Sequence, residues 1–141
     1  MSPRSFLKNF AFAFSAGALG GLANGLVVWF LGAVGITAAL GVAIAPEITP
    51  AWLYPRLVWG GLWGGLLLLP LLSCAPLKRG LLFGLGPACV QLLIVFPYKA
   101  EKGMAGLALG EMTPLVVVFV NLVWGVVAAV AYHLMWKKTA S

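Results

Sequence analysis

The sequence predicts an all-α integral membrane protein with four transmembrane helices. Three observations lead to this prediction. Of the 141 residues, 62% are hydrophobic and 9% are charged, whereas a soluble domain carries about 25% charged residues to wet its surface. The hydrophobic residues form four runs, each close to the roughly 20 residues that a helix needs to cross about 30 Å of hydrocarbon. The runs are continuous rather than alternating, which argues against the strands of a membrane barrel.

The four runs define the predicted helices and a single membrane domain. The first run covers residues 10–34 without a charge, and the second ends near residue 73 and begins at either Pro50 or Pro55. The third covers residues 77–96 and the fourth residues 114 to about 136. We expect a kink in the third helix, because Pro87 removes a hydrogen bond in mid-helix. Residues 1–75 and 76–141 would form two helical hairpins.

Lysine and arginine are divided unequally between the two ends of these helices, which predicts the orientation. The positive-inside rule places the end richer in cations in the cytoplasm. We therefore expect a protein of the bacterial inner membrane with both termini in the cytoplasm. The net charge of +6 then reflects membrane topology, and we expect no nucleic-acid partner. One end has Arg4, Lys8, Lys78, Arg79, Lys137 and Lys138; the other has Arg56, Lys99 and Lys102 with all the acids, Glu47, Glu101 and Glu111.

Sequence matches between the two halves indicate a parallel duplication of the hairpin. Glu-Ile-Thr-Pro at 47–50 recurs as Glu-Met-Thr-Pro at 111–114, and Leu-Val-Trp-Gly at 57–60 recurs identically at 122–125. A weaker match aligns Leu19, Gly20, Leu26 and Phe30 with Leu85, Gly86, Leu92 and Phe96. Some transporters contain parallel repeats, and duplication is equally a simple route to a symmetric bundle.

The Thr-Pro pairs in these repeats predict helix starts. A threonine at the N-cap accepts a hydrogen bond from the first turn, and a proline at the first helical position loses no bond. Thr49 and Thr113 would cap the second and fourth helices, and Glu47 and Glu111 would lie near the positive ends of the helix dipoles. We expect these four residues to be structural rather than catalytic.

The outer loops are unusually apolar for solvated segments. Residues 36–46 contain no charge, and residues 103–110 contain none either. We expect both loops to lie in the interface or to re-enter between the helices, where protein buries their backbone.

Small residues recur at helical spacing, which allows two helix backbones to approach closely. Packing within the bundle is the favoured interpretation, and a face that docks another protein or a second copy is the alternative. The residues concerned are Gly17, Gly21, Gly25, Gly60, Gly61, Gly64, Gly65, Gly84 and Gly125.

Each predicted helix carries one strongly polar residue in its outer half: Asn24, Arg56, Gln91 and Asn121. If they converge, they form a polar cluster, and Arg56 requires a partner such as Glu47 or Glu111, since an intramembrane charge costs about 3 kcal/mol. If the second helix starts at Pro55, Arg56 reaches the headgroups instead and the amides join helices. The second interpretation is favoured.

Residues for catalysis or cofactor binding are scarce. The chain has one histidine and two cysteines, and it has no phosphate-binding loop or metal-ligand spacing. We therefore predict no enzymatic activity, no metal site, no cofactor and no disulfide. The favoured function is a small non-catalytic subunit or assembly factor of a larger membrane complex. The alternative is a small homo-oligomeric channel or transporter for a small solute or lipid. Expected partners are the bilayer and other membrane subunits or a second copy.

Overall fold

The computed structural model describes residues 2–140, and over that range it contains helices and loops without strands. The α-helices are α1 (Pro3–Ala33), α2 (Ile36–Ala39), α3 (Pro50–Trp63), α4 (Pro76–Val90) and α5 (Thr113–Ala140). Helix α3 continues as a 3-10 segment, Gly64–Leu68, and α4 continues as a π-helix, Gln91–Lys99. A further 3-10 segment, Met104–Leu109, precedes α5.

Within residues 2–140, three helical segments are long and apolar enough to cross a membrane: Pro3–Ala33, Pro76–Lys99 and Thr113–Thr139. The prediction of an all-helical membrane protein is therefore confirmed with three such helices. The second predicted span is not among them, because its α-helix has only 14 residues.

The second predicted helix starts at the earlier proline and ends before residue 73. Thr49 caps α3 as expected, since its hydroxyl accepts a hydrogen bond from the Trp52 N–H at 3.2 Å, and Pro55 lies inside the helix. The helical segment ends at Leu68 because Leu69 is extended, with ψ of 132°. Leu69 precedes Pro70, and the ring of a proline disfavours the helical conformation of the residue before it.

Two other helices differ from their predicted forms. Helix α1 begins at Pro3 rather than residue 10, because the Ser2 hydroxyl accepts a hydrogen bond from the Ser5 N–H at 3.2 Å. Arg4 and Lys8 therefore lie on the first turns of α1. In the third predicted helix, the hydrogen-bond ladder changes from α to π at Gln91, four residues after Pro87. Bends in helices are commonly found at prolines and π-segments.

Helices α1 and α5 pack against each other at the centre of the bundle. Helix α3 packs on α1, and α4 packs on α5. Within the described residues, α3 and α4 share no extended interface. A cleft therefore separates α3 from α4, and α1 and α5 form its floor.

Glycine backbones form both hairpin interfaces. A Cβ placed on Gly60 of α3 would lie 2.7 Å from the Gly17 carbonyl oxygen of α1, and one on Gly84 of α4 would lie 2.6 Å from the Asn121 carbonyl oxygen of α5. These distances leave no room for a side chain, so the helix backbones are in direct contact. Close backbone approaches of this kind also occur at Gly17, Gly21, Gly64, Gly80 and Gly125.

The remaining predicted packing glycines have three different surroundings. A Cβ on Gly61 would lie 2.6 Å from the Phe14 ring, and one on Gly25 would lie 3.3 Å from Leu53. Gly65 has no heavy atom within 4 Å of such a Cβ, so the packing contact expected there is not formed.

Trp124 joins α5 to α1 by a buried hydrogen bond. Its indole N–H donates to the Gly17 carbonyl oxygen of α1 at 3.0 Å, and the side chain is 3% exposed. We expect Trp124→Phe to lower the free energy of unfolding by about 1–3 kcal/mol, because the bond and some packing volume are lost. Thermal unfolding in detergent, followed by circular dichroism, measures this change.

Trp59 supplies the matched control, since it occupies the same position in the repeated tetrapeptide. Its side chain is 59% exposed, and we expect Trp59→Phe to change the free energy of unfolding by less than about 0.5 kcal/mol. Equal losses in the two variants would contradict the role given to the Trp124 hydrogen bond.

Candidate functional site

The four predicted polar residues line one cavity, and each comes from a different one of the four long helical segments. Asn24 lies on α1, Arg56 on α3, Gln91 at the start of the π-helix and Asn121 on α5. The cavity has a volume of about 130 Å³ and occupies the cleft between α3 and α4. A polar cavity of this volume holds several water molecules, since one water needs about 10–15 Å³.

Arg56 is held by an amide and an aromatic ring. Its Nη1 donates to Asn24 Oδ1 at 3.0 Å, and its guanidinium carbon lies 4.2 Å from the centre of the Trp52 ring. Helix α3 starts at Pro50, which places Arg56 about one and a half turns inside the helix. The expectation that the helix starts at Pro55 is therefore wrong, and Arg56 is half-buried within the bundle.

Arg56 lacks the carboxylate partner that the sequence led us to expect. Glu47 and Glu111 are both exposed. Within residues 2–140, Arg56 forms no ion pair, and its partners are the Asn24 amide and the Trp52 ring. Neutral dipoles and a π face alone therefore balance its charge, and the cavity carries a net positive charge.

The amides connect this arginine to the centre of the bundle. Asn24 Nδ2 donates to the Val120 carbonyl oxygen of α5 at 2.9 Å. Asn121 Nδ2 donates to Gln91 Oε1 at 3.1 Å and to the Val117 carbonyl oxygen at 2.9 Å. Within the described residues, the Gln91 amide nitrogen donates to no acceptor. Together with the remaining N–H groups of Arg56, it gives the cavity an excess of hydrogen-bond donors.

Three tryptophans complete the walls, and the sequence interpretation did not include them. Trp59, Trp63 and Trp124 line the cavity together with the polar cluster. The recurrence of Leu-Val-Trp-Gly at 57–60 and 122–125 is the sequence signal for two of them, Trp59 and Trp124. The cavity thus combines one cation with flat apolar surfaces.

A second cavity of about 150 Å³ adjoins the first, and Arg56 and Gln91 line both. Its other walls are mostly apolar and include Thr37, Ile44 and Leu109 from the two apolar loops. The two cavities therefore meet at Arg56 and Gln91, and the second leads from them towards the loops.

The two apolar loops join each other over this second cavity. The Ala43 N–H of the first loop donates to the Leu109 carbonyl oxygen of the second at 2.8 Å. Within the first loop, the Thr37 hydroxyl donates to the Ile44 carbonyl oxygen at 2.7 Å. Gly110, with a φ of 142°, lies directly against Gly41. The loops are thus tied together by backbone contacts that an added side chain at Gly110 would obstruct.

The capping expected at Thr113 is not formed. Thr113 is fully buried, and its hydroxyl has no hydrogen-bond partner. The helical ladder starts one residue earlier than expected, since the Val116 N–H donates to the Met112 carbonyl oxygen at 3.2 Å. Thr113 therefore belongs to the helix itself and packs beneath Gly106, where a Cβ would lie 2.9 Å from its methyl group.

No protein-family model, no curated protein and no solved structure matches this chain. Cys74 and Cys89 are free and exposed thiols. Within residues 2–140, no three histidine, cysteine, aspartate or glutamate side chains come together as metal ligands. The functional argument therefore rests on the cavity and its charge.

Proposed function

We propose that this protein is a channel or transporter that binds a small anionic solute at Arg56. The observation that carries the proposal is the convergence of Asn24, Arg56, Gln91 and Asn121 on one cavity without a carboxylate at the arginine. An ionisable side chain within a membrane is costly, and such side chains mark ion and substrate pathways. The small-residue surfaces that a docking function needs are largely occupied by contacts between helices of this chain.

The proposal includes four spans, with residues 50–68 as the second. Fourteen α-helical residues and five 3-10 residues extend over about 31 Å, close to the hydrocarbon thickness of about 30 Å. Residues 1–75 and 76–141 are then the two hairpins. Both termini lie in the cytoplasm by the charge rule, and the loops over the second cavity face outward.

The glycine contacts support the proposed duplication with a changed alignment. Gly17 meets Gly60 in the first hairpin, and Gly80 meets Gly125 in the second. These contacts align Gly17 of the first half with Gly80 of the second, an offset of 63 residues. The weak sequence match instead aligned Gly20 with Gly86, an offset of 66 residues.

The two native cysteines test the proposed topology without any engineered residue. Cys74 lies between the 3-10 segment and α4, and Cys89 lies within α4. We expect a membrane-impermeant maleimide to label Cys74 in inverted vesicles but not in intact cells, because this loop is cytoplasmic under the proposal. Cys89 should stay unlabelled in both, since it faces lipid.

Two variants separate the thiols in this experiment. Cys89→Ser should keep the labelling in inverted vesicles, and Cys74→Ser should abolish it. Labelling of Cys74 in intact cells would refute the orientation, and labelling of Cys89 would refute its location in the hydrocarbon.

Flux through proteoliposomes tests the transport function. Purified protein should pass small anions such as chloride, nitrate or acetate faster than empty liposomes do, and should not pass potassium. Wild-type protein that neither passes nor binds any small anion would refute the proposed function.

The unfilled cleft favours a second candidate function, the accessory subunit of a larger complex. Helices α3 and α4 share no extended interface, and Trp59 lies exposed at the edge of the cleft between them, which gives another subunit an apolar surface to pack against. Purification in mild detergent discriminates the two functions. Migration with a larger complex supports the accessory subunit, and a homo-oligomer of 14.8 kDa chains supports the transporter.

A further inference from the structure

A second arginine is buried near the cation-rich end of the bundle, away from the Arg56 cavity. Arg79 lies in the first turn of α4 and is 6% exposed. Its Nη2 donates to the Leu67 carbonyl oxygen and, at 2.8 Å, to the Leu69 carbonyl oxygen. The guanidinium carbon lies 5.5 Å from the centre of the Tyr132 ring.

These contacts leave most of the guanidinium without an acceptor. Arg79 Nε is buried and has no hydrogen-bond partner, and within the described residues Nη1 donates to no acceptor either. Arg79 forms no ion pair with any carboxylate in residues 2–140. A buried donor without a partner is rare in proteins, and a buried unpaired charge is costly. An anion from outside the chain that accepts from Nη1 would balance this charge, whereas Nε is enclosed by the protein itself.

A cavity of about 270 Å³ lies against this arginine, roughly twice the volume of the cavity at Arg56. Ser73, His133 and Trp136 line it together with Arg79, and they offer a hydroxyl, an imidazole and an indole. Lys8 Nζ lies 5.7 Å from the centre of the Trp136 ring. A second cation therefore flanks the cavity, and its lining contains no acid.

We propose that this cavity binds a phosphate anion, either the headgroup of an anionic phospholipid or free phosphate. A guanidinium with free N–H groups matches phosphate oxygens in charge and geometry. Under the proposed topology this end of the bundle faces the cytoplasmic leaflet, where anionic headgroups concentrate beside Lys and Arg clusters. The phosphate site involves none of the residues of the Arg56 cavity, and it stands whether or not the protein transports a solute.

The adjacent residues Lys78 and Arg79 provide a matched pair for the test, because Lys78 is exposed and Arg79 is buried. Protein in a phosphate-free detergent is titrated with phosphatidylglycerol or with a phosphate-free diacylglycerol of the same chains. A separate titration uses inorganic phosphate against chloride at equal ionic strength. Native mass spectrometry and the thermal midpoint report binding. We expect Arg79→Gln to weaken phosphate binding at least about tenfold, and Lys78→Gln to weaken it less than about twofold.

The arms of the titration distinguish the source of the phosphate. Retention of phosphatidylglycerol without an effect of inorganic phosphate supports a lipid headgroup, and the reverse result supports free phosphate. The proposal would be overturned if the wild-type protein bound phosphatidylglycerol no better than diacylglycerol and inorganic phosphate no better than chloride. Equal weakening of phosphate binding by Lys78→Gln and Arg79→Gln would also overturn it. If Arg79→Gln does not fold, His133→Leu takes its place, because leucine removes the imidazole from the cavity lining, and undiminished phosphate binding in that variant would likewise overturn the proposal.

Discussion

Replacing Arg56 with glutamine is expected to reduce anion flux and anion binding at least about tenfold. The substitution removes the one charge of the polar cavity, and the loss of a charge-assisted hydrogen bond to the solute corresponds to a factor of this size or more. Anion flux and anion binding by Arg56→Lys should lie between those of the wild type and those of Arg56→Gln. The lysine keeps the charge but lacks the planar group that contacts the Trp52 ring. Anion flux is measured in proteoliposomes, and the anion dissociation constant is measured by calorimetry.

Two further variants show whether the effect belongs to the cavity. Arg4→Gln removes the same charge from an exposed position on α1 and should leave flux unchanged. Asn121→Leu removes the donor to Gln91 Oε1 and, like Arg56→Gln, should reduce anion flux. Wild-type flux in both Arg56→Gln and Asn121→Leu would rule out the proposed solute site.

Alanine at Gly64 is expected to destabilise the protein by about 1–3 kcal/mol, the usual cost of forcing extra atoms into a packed interface. A Cβ at Gly64 would lie 3.0 Å from Gly17 Cα and closer still to the Ala13 carbonyl oxygen. Because both contacts are with backbone atoms, no side chain can turn away, and α1 must separate from the end of α3. The measurement is the free energy of unfolding or the thermal midpoint in detergent.

The neighbouring glycine is the control for this prediction. A Cβ at Gly65 has no heavy atom within 4 Å, so Gly65→Ala should be neutral or should stabilise by up to about 1 kcal/mol through a smaller loss of backbone entropy. Similar destabilisation by Gly64→Ala and Gly65→Ala would mean that glycine is needed there for conformation and not for close approach.

The observed start of α1 and the end of the second helical segment both follow from local sequence signals. Pro70 ends the second helical segment before residue 73, and this limit was visible in the sequence because the residue before a proline disfavours the helix. Ser2 and Pro3 start α1 earlier for the same reasons that start α3 at Thr49 and Pro50. The environment of Thr113 does not follow from local sequence. Thr113 is buried beneath Gly106, and the loop that contains Gly106 is held against the loop between α1 and α3 by the hydrogen bond from Ala43 to Leu109.

The common depth of the polar residues followed from the sequence, because helical rise determines depth along a helix. Their convergence did not, because it depends on how each helix is rotated about its axis. That rotation is set by the backbone contacts between α1 and α3 and between α4 and α5, including the approach of Gly17 to Gly60 and of Gly80 to Gly125. The burial of Arg79 did not follow from the sequence for a related reason, because it depends on contacts with Leu67, Leu69 and Tyr132 on other segments.

The sequence by itself determined the class of protein and located three long apolar helices, since a hydrocarbon environment requires continuous apolar runs whose backbone is satisfied internally. It also marked Leu-Val-Trp-Gly as a repeated unit without distinguishing its two copies. Only the tertiary structure does so: Trp124 is 3% exposed and Trp59 is 59% exposed. The physical reason is the order of packing, because α5 lies between α1 and α4, whereas α3 packs mainly on α1 and shares no extended interface with α4, which leaves Trp59 exposed.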